Sequence, residues 1–391
     1  MKVKIIWIMF VVWAVTAGCK TDKMPTSSME NTDPNGEEEL LKVFKASEDP
    51  GVVKVMSQNV YIGTNVTDIL DAPTIETVPV LVASGFQEVQ NCDFLSRAEA
   101  IAVEIEKTMP HLIGLQEMTV FYRQSPGDLL AGGTIPATDV FLDYFEELMN
   151  ALQARGLNYQ VVDSIANADI ELPMFVRFDG NTPVFDDIRI VDHDAILARD
   201  DVVISNPVAV RYDSMLVVNF DENNSVSIPR GYVAVTAKIG GTSVVFTNTH
   251  LESMGGRNLR EAEVRQLLDD YKNESLPVIM VGDFNSRALT GNAYNLVLNE
   301  GFTDTWLMNP LTYNPNGYTY GHSSDLRNET PHLSSRIDYV FAGPQGNPTI
   351  GNGFVLGDET RDKTSNGLWP SDHAGVVTKL TYSSVPKLVS K

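Results

Sequence analysis

A chain of 391 residues with 43% hydrophobic and 20% charged residues is long and apolar enough for a large core, which excludes a disordered polymer or a small disulfide-stapled scaffold. Its formal charge of −22, from 29 basic and 51 acidic residues, repels phosphate backbones and argues against non-specific affinity for nucleic acid. A bound divalent cation reverses that sign locally, so the charge alone does not exclude a nuclease.

The chain opens with Lys2 and Lys4, an apolar run over residues 5–15, and Thr16-Ala17-Gly18-Cys19. A basic start, a short apolar stretch and small residues before a cleavage point describe an export signal, too short to span a bilayer comfortably. Residues 16–19 resemble a bacterial lipobox, which implies a signal peptide over residues 1–18, lipidation of Cys19 and anchoring in the cell envelope. Lys20 after the cysteine favours the outer membrane of a Gram-negative host. Cleavage by ordinary signal peptidase and an uncleaved N-terminal anchor are the alternatives, and both also export the domain. Cys92 is the other of the two cysteines, so the exported domain has no internal disulfide and Cys92 reads as structural.

Residues 19–50 are rich in Ser, Thr, Asn, Glu and Pro and read as a flexible tether, with Glu37-Glu38-Glu39 as a solvated spacer. One catalytic domain is then expected over residues 51–384, followed by a short tail at 385–391. Strand-like segments, β-branched or aromatic and bounded by turn residues, fall at residues 52–60, 112–118, 195–199, 232–239, 243–250, 278–281, 336–341 and 376–380. Helical spacing places Leu95, Ala98, Ile101, Ile105 and Met109 on one face, and Leu142, Phe145, Leu148 and Leu152 on another that Gly156 ends. A weaker helical pattern covers residues 257–272. Residues 64–91 and 164–192 read as irregular loops around the mouth of a site. Interleaved strands and helices point to sheets covered by helices.

Six short segments place polar residues at strand ends: Ser57-Gln58-Asn59-Val60, Gly114-Leu115-Gln116-Glu117, residues 247–252 around His250, Val281-Gly282-Asp283-Phe284-Asn285, residues 335–339 around Asp338, and Ser371-Asp372-His373. Glu117 emerges where an apolar strand ends, a natural ligand for a hard cation such as Mg²⁺. Asp283 and Asn285 lie two apart in extended chain, so both point to one side and suit an attacking water and a phosphoryl oxygen. A carboxylate such as Asp338 or Asp372 beside His373 would fix the imidazole's tautomer and raise its basicity. Each segment alone is more often a turn or a hydrogen-bonded structural residue. His111, His322 and His332 read that way, and His193 stays outside the site.

All six together, in this order, resemble the endonuclease/exonuclease/phosphatase superfamily over roughly residues 52–380. The resemblance implies an α/β four-layer sandwich, two mixed β-sheets packed face to face with helices outside. It implies Glu117 as principal Mg²⁺ ligand (Mn²⁺ as substitute), with Asn59 and Asp372 beside the metal. Asp283 would orient or deprotonate water, Asn285 and His250 would donate to phosphoryl oxygens, and His373 would act with Asp338. Arg199, ending the 195–199 strand, would be a phosphate contact.

The expected reaction is metal-dependent hydrolysis of a phosphodiester by water, in a nuclease-like enzyme. Alternatives are a sphingomyelinase-like phospholipase C, suggested by Asn59-Val60-Tyr61, a phosphomonoesterase, or a catalytically silent binding protein. No exposed aromatic hairpin for bilayer insertion and no multi-phosphate Lys/Arg cluster is evident in the sequence. Expected partners are a phosphoester (nucleic acid, phospholipid head group or small diester) and, through Cys19, a membrane; no protein partner is implied.

Overall fold

The computed structural model describes residues 34–222, 224–310 and 316–383. The export signal, Cys19 and the 385–391 tail lie outside the described residues. In chain order the first half comprises α1 (Pro34–Lys45), β1 (Val52–Asn59), α2 (Val66–Leu70), α3 (Val78–Asn91), α4 (Phe94–Thr108), β2 (Leu112–Gln116), β3 (Val120–Gln124), β4 (Val140–Asp143) and α5 (Tyr144–Ala154). There follow β5 (Tyr159–Asp179), β6 (Thr182–Arg199), β7 (Val203–Asn219), β8 (Ser225–Ile239), β9 (Thr242–His250), α6 (Arg257–Tyr271), β10 (Val278–Asp283), α7 (Asn292–Asn299), β11 (Thr303–Asp304), β12 (Asp338–Ala342), β13 (Thr349–Leu356) and β14 (Gly375–Thr381).

One sheet runs β13-β14-β1-β2-β6-β3-β4 with β5 also on β6, and the other runs β11-β12-β10-β9-β8-β7. Both are mixed: β1/β2 and β9/β10 are parallel, and their other neighbours are antiparallel. Period-two alternation explains the layers. In β10, Ile279 and Val281 face the other sheet's Val53, Val55 and Ile196, whereas Val278 and Met280 face α6 and α7 through Val264, Leu267 and Val297. In the first sheet Met56, Ile113 and Leu197 turn outward onto Phe44, Ile101 and Leu152 of the helices. The four-layer sandwich expected from the sequence is the fold.

The two sheets approach closely at Gly114, where a Cβ would lie 2.5 Å from Val281 Cγ2 and 2.6 Å from Asn248 Oδ1. Asn248 bridges the sheets there. Its Nδ2 donates to Leu115 O and Ala195 O, both at 2.9 Å, and Gln116 Nε2 donates to its Oδ1 at 2.6 Å. A buried amide fully occupied in this way pins the register of one sheet against the other.

Three expectations need correction. The tether does not reach residue 50. Helix α1 belongs to the domain, burying Leu41 and Phe44, with Phe44 edge-on to Phe354 at 5.4 Å and Glu37 paired to Arg361 at 2.7 Å. Residues 64–91 are helical, not a loop; Val78, Val82, Phe86 and Val89 of α3 are buried at helical spacing behind a Pro at its first turn. Residues 164–192 form the long β5–β6 hairpin. Register shifts at Val161/Asp163, Ala166/Ala168 and Phe175/Arg177 break its alternation and hid it from a period-two reading. Its tip carries Phe175 between Phe178 and Phe185, with Phe178 65% exposed, so the chain does present an aromatic hairpin.

Candidate active site

The strand registers deliver the chemistry to one end of the sandwich. Asn59 ends β1 opposite Gln116, and Glu117 follows one residue beyond β2. In the second sheet Asp283 lies opposite both His250 of β9 and Asp338 of β12. The turn before β14 brings in Asp372 and His373, fixed by Ser371, whose hydroxyl donates to Asn59 O at 2.8 Å and accepts from His373 N at 3.1 Å. Gly282 allows β10 to lie against β9 here: φ is 146°, and a Cβ would meet Thr249 O at 1.9 Å. Three non-glycine residues adopt left-handed backbone at the site, Tyr61 (φ 61°), Glu117 (φ 61°) and Asn285 (φ 47°).

The two sheets are joined at the site by Asn59, whose Nδ2 donates to Glu117 Oε1 at 3.0 Å and to Asp283 Oδ2 at 3.3 Å. Glu117 Oε2 accepts the Ile62 N–H at 2.7 Å. Asp283 Oδ2 is flanked by two imidazoles, His250 Nε2 at 3.6 Å and His373 Nε2 at 3.7 Å. Its other oxygen accepts the Asn285 N–H at 2.8 Å.

The two histidines are in opposite states. Burial, together with the Arg230 guanidinium and His373, holds His250 well below its ordinary pKa, so it is neutral. Arg230 Nη1 lies 3.2 Å from His250 Nδ1. A guanidinium only donates, so Nδ1 accepts and Nε2 carries the hydrogen, facing the cleft. Burial opposes charge on His373 as well, but the carboxylates of Asp338, Asp372 and Asp283 outweigh it and raise that pKa well above the ordinary value. Asp338 Oδ2 accepts from His373 Nδ1 at 2.9 Å.

The carboxylates are short of positive charge. Burial and the neighbouring Asp338 push Asp283 up to about 7. Burial, with Glu117 close by, does the same to Asp372. Asp338 Oδ1 is buried without a hydrogen-bond partner. Such a cluster has a standing demand for a cation, and the carboxylate oxygens of Glu117 and Asp372 are the hard donors that Mg²⁺ or Mn²⁺ prefers, whereas Asn59 Oδ1 accepts the Tyr61 N–H at 2.9 Å and its Nδ2 faces the carboxylates. The residues present therefore fit the divalent ion expected from the sequence.

Of the sequence-predicted residues, the structure brings together Asn59, Glu117, His250, Asp283, Asn285, Asp338, Asp372 and His373. Arg199 is the exception and is no phosphate contact. It sits at the far end of β6, paired with Glu48 at 3.1 Å and Asp201 at 2.7 Å. The 195–199 strand runs antiparallel to β2, so its last residue points away from the end where Glu117 emerges. The cleft's cation is Arg230, which sequence reasoning missed. It binds Glu252 Oε2 at 3.2 Å and lies 3.7 Å from Asp192. The available signal was a lone Arg in Pro229-Arg230-Gly231 at the start of an apolar strand. Tyr320 also lines the cleft, its ring 4.8 Å from that of His373. His111 and Cys92 are structural as expected: His111 Nδ1 accepts from Lys54 N at 2.9 Å, and the Cys92 thiol is buried 3.6 Å from Ser324 O.

Solved structures share this architecture. An endonuclease/exonuclease/phosphatase family protein from Bacteroides thetaiotaomicron superposes with a TM-score of 0.54 at 18% identity, over 86% of this chain and all of that one. A mannosyl-6-phosphatase from the same organism gives 0.52 at 17% identity, over 84% and 100%. A family protein from Leptotrichia buccalis gives 0.51 at 15% identity, over 84% and 100%. At these identities the likeness is one of fold. No curated protein sequence matches the chain. The sequence profile of the Endonuclease/Exonuclease/phosphatase family matches residues 83–373, a span holding every site residue except Asn59. On that match, the chain belongs to the endonuclease/exonuclease/phosphatase family.

Proposed function

We propose that this chain hydrolyses phosphodiesters with a divalent cation, Mg²⁺ or Mn²⁺, held by Glu117 and Asp372, with Asn59 orienting Glu117 through its amide N–H. Family membership supports hydrolysis of phosphoesters in general. The observation that carries the finer reading is Asp283, a carboxylate with a pKa of about 7 set between a neutral and a cationic imidazole. When bound, the cation neutralises charge on the phosphoryl oxygens and positions the ester.

Asp283 accepts a proton from the attacking water, whose oxygen bonds to phosphorus as the bond to the leaving oxygen breaks. Asn285 Nδ2 donates to Leu251 O at 2.9 Å and lies 3.1 Å from His250 Nε2, and a phosphoryl oxygen entering beside them would accept from the Nε2–H and the remaining amide hydrogen. His373, held cationic by three carboxylates, supplies the proton to the departing alkoxide and returns to its charged state from solvent. No covalent intermediate is required. Arg230 is the one Arg or Lys side chain lining the described cleft of about 430 Å³. So little fixed positive charge suits the single negative charge of a diester better than a dianionic monoester.

The test is hydrolysis of bis-p-nitrophenyl phosphate, plasmid DNA, RNA, sphingomyelin vesicles and sugar phosphates, with Mg²⁺ and with EDTA. Metal-dependent cleavage of a diester is expected; cleavage of monoesters alone would replace this reading with a phosphatase. We further propose that the chain is exported and lipid-anchored through Cys19 at the outer membrane. The support is residues 1–19 and Lys20. Among the described residues no helix is long and apolar enough to cross a membrane. Fatty-acid labelling is expected to vanish in Cys19→Ala, and labelling that persists rejects the anchor.

A further inference from the structure

The active-site cleft does not end at its polar residues. Glu117, Arg230 and His250 also line a second cavity of about 90 Å³, whose other walls include Val66, Leu70, Ile170, Ile190, Ile228 and Met254. That cavity runs into a third of about 50 Å³, sharing Val66, Leu70, Ile170 and Ile190 and closed by Val82 and Phe86. Ile62 and Val66 line all three. Ile62 is the residue whose N–H holds Glu117, so the apolar wall starts beside the expected cation ligand.

Protein interiors hold few voids larger than a water molecule, because unfilled apolar space forfeits dispersion contacts. An apolar cavity of about 150 Å³ stays dry and takes benzene. The inner cavity here is walled mostly by apolar side chains, while the one joining it to the cleft also carries Asp192, Arg230 and Glu252, so the apolar space opens onto the polar cleft beside His250. Leu70, Ala168, Ile170 and Ile228 are buried in a small cluster of their own, separate from the main cores, at the wall of this channel. A purely structural defect would have no reason to meet the reacting centre.

We propose that this channel seats an apolar substituent of the phosphoester, alkyl or aryl, so that the substrate class is a phosphoester with one apolar arm. The inference rests on the hydrolase reading for the word substrate, but not for the binding itself. Ile62, Val66 and Met254 form the threshold between the polar and apolar parts, while the hard donors hold the phosphoryl group.

The test titrates the full-length chain, in Mg²⁺, with methyl, butyl, octyl and phenyl phosphate, each as its methyl diester, by calorimetry. The expected Kd falls about three- to fourfold per methylene until the channel is filled. Phenyl phosphate tighter than butyl phosphate identifies a flat occupant, and the reverse a linear one. A Kd that is constant from methyl to octyl, or no binding of octyl phosphate, overturns the proposal. In Ile170→Trp, which fills the channel from β5 behind the cleft, the chain-length dependence is expected to disappear while methyl phosphate binds as before. Leu172→Trp, at the inner cavity and away from the cleft lining, provides the same reading if Ile170→Trp does not fold by circular dichroism. Turnover of methyl and octyl p-nitrophenyl phosphate separates the two claims. Chain-length-dependent binding without turnover rejects the hydrolase and keeps the channel; metal-dependent turnover with no chain-length effect does the reverse.

Discussion

The sandwich carries a carboxylate–imidazole–guanidinium cluster at each end, and they differ in one respect. Away from the cleft, Glu48, His111 and Asp201 gather around Lys54 and Arg199. Although burial opposes it, the Arg199 and Lys54 hydrogen bonds hold Glu48 at about 2. At the cleft, Asp283, Asp338, Asp372 and Glu117 share Arg230 and His373, and two of these carboxyls rise to about 7. Both clusters have ligand atoms close enough for a metal. One is already neutralised by the chain, the other is not. Proximity of acids therefore does not mark a cation site; an excess of carboxylate over built-in cation does.

The comparison breaks most visibly at Asp283. Asp283→Asn is expected to lower kcat/KM on the preferred diester about a thousandfold, with melting temperature unchanged or higher because a buried charge is removed. Near-full turnover in this variant would disprove the assignment of the base.

Next in size is the response to pH and metal, which has opposite sign at the two ends. Asp283 and Asp372 have folded-state pKa values of about 7 against an ordinary 3.8. Their contribution to stability is complete below about pH 4 and is lost as pH rises through 7. Glu48, at about 2 against an ordinary 4.5, contributes stability above pH 4.5 that is lost as pH falls through 2. Mg²⁺ or Mn²⁺ should therefore raise the melting temperature at pH 8 by about 5 °C at a hundredfold excess over Kd, and far less at pH 5. Equal shifts at both pH values would count against a carboxylate site.

Arg199→Ala should lower unfolding free energy by about 2 kcal/mol, through charged hydrogen bonds to Glu48 and Asp201, and leave kcat unchanged. Loss of turnover there would restore Arg199 to the site. The smallest effect is Arg230→Gln, about tenfold in kcat. Its diagnostic readout is the His250 imidazole signal, whose titration should move up once the guanidinium is gone; an unmoved titration would show that burial alone sets the neutral state.

Much of this was legible in the sequence because the candidate catalytic side chains lie at or just beyond strand ends. Glu117 follows an apolar run, as expected, but Asp283 and Asn285 do not share a side through extended chain: β10 ends at Asp283, and a turn with left-handed Asn285 (φ 47°), closed by the Asn285 N–H on Asp283 Oδ1, brings both to His250. Pairing across the sheets was not legible: nothing local places Asp338 opposite Asp283, or Arg199 at the wrong end of an antiparallel strand. Bulges erased the β5–β6 hairpin, and an acidic run masked the Leu41–Phe44 stripe of α1. Arg230 belongs to no motif because its partners, Asp192, His250 and Glu252, come from separate segments.

The left-handed backbone at Tyr61, Glu117 and Asn285 has a consequence for anyone wishing to make this protein sturdier. A left-handed conformation at a residue with a Cβ is unfavourable by about 1–2 kcal/mol, which glycine would relieve. Heat-tolerance screens blind to turnover should therefore select glycine at Glu117, the position proposed to hold the cation. Robustness and activity pull in opposite directions at these three residues, and a stabilised variant is best sought on the outer helices, leaving the strained corner as it is.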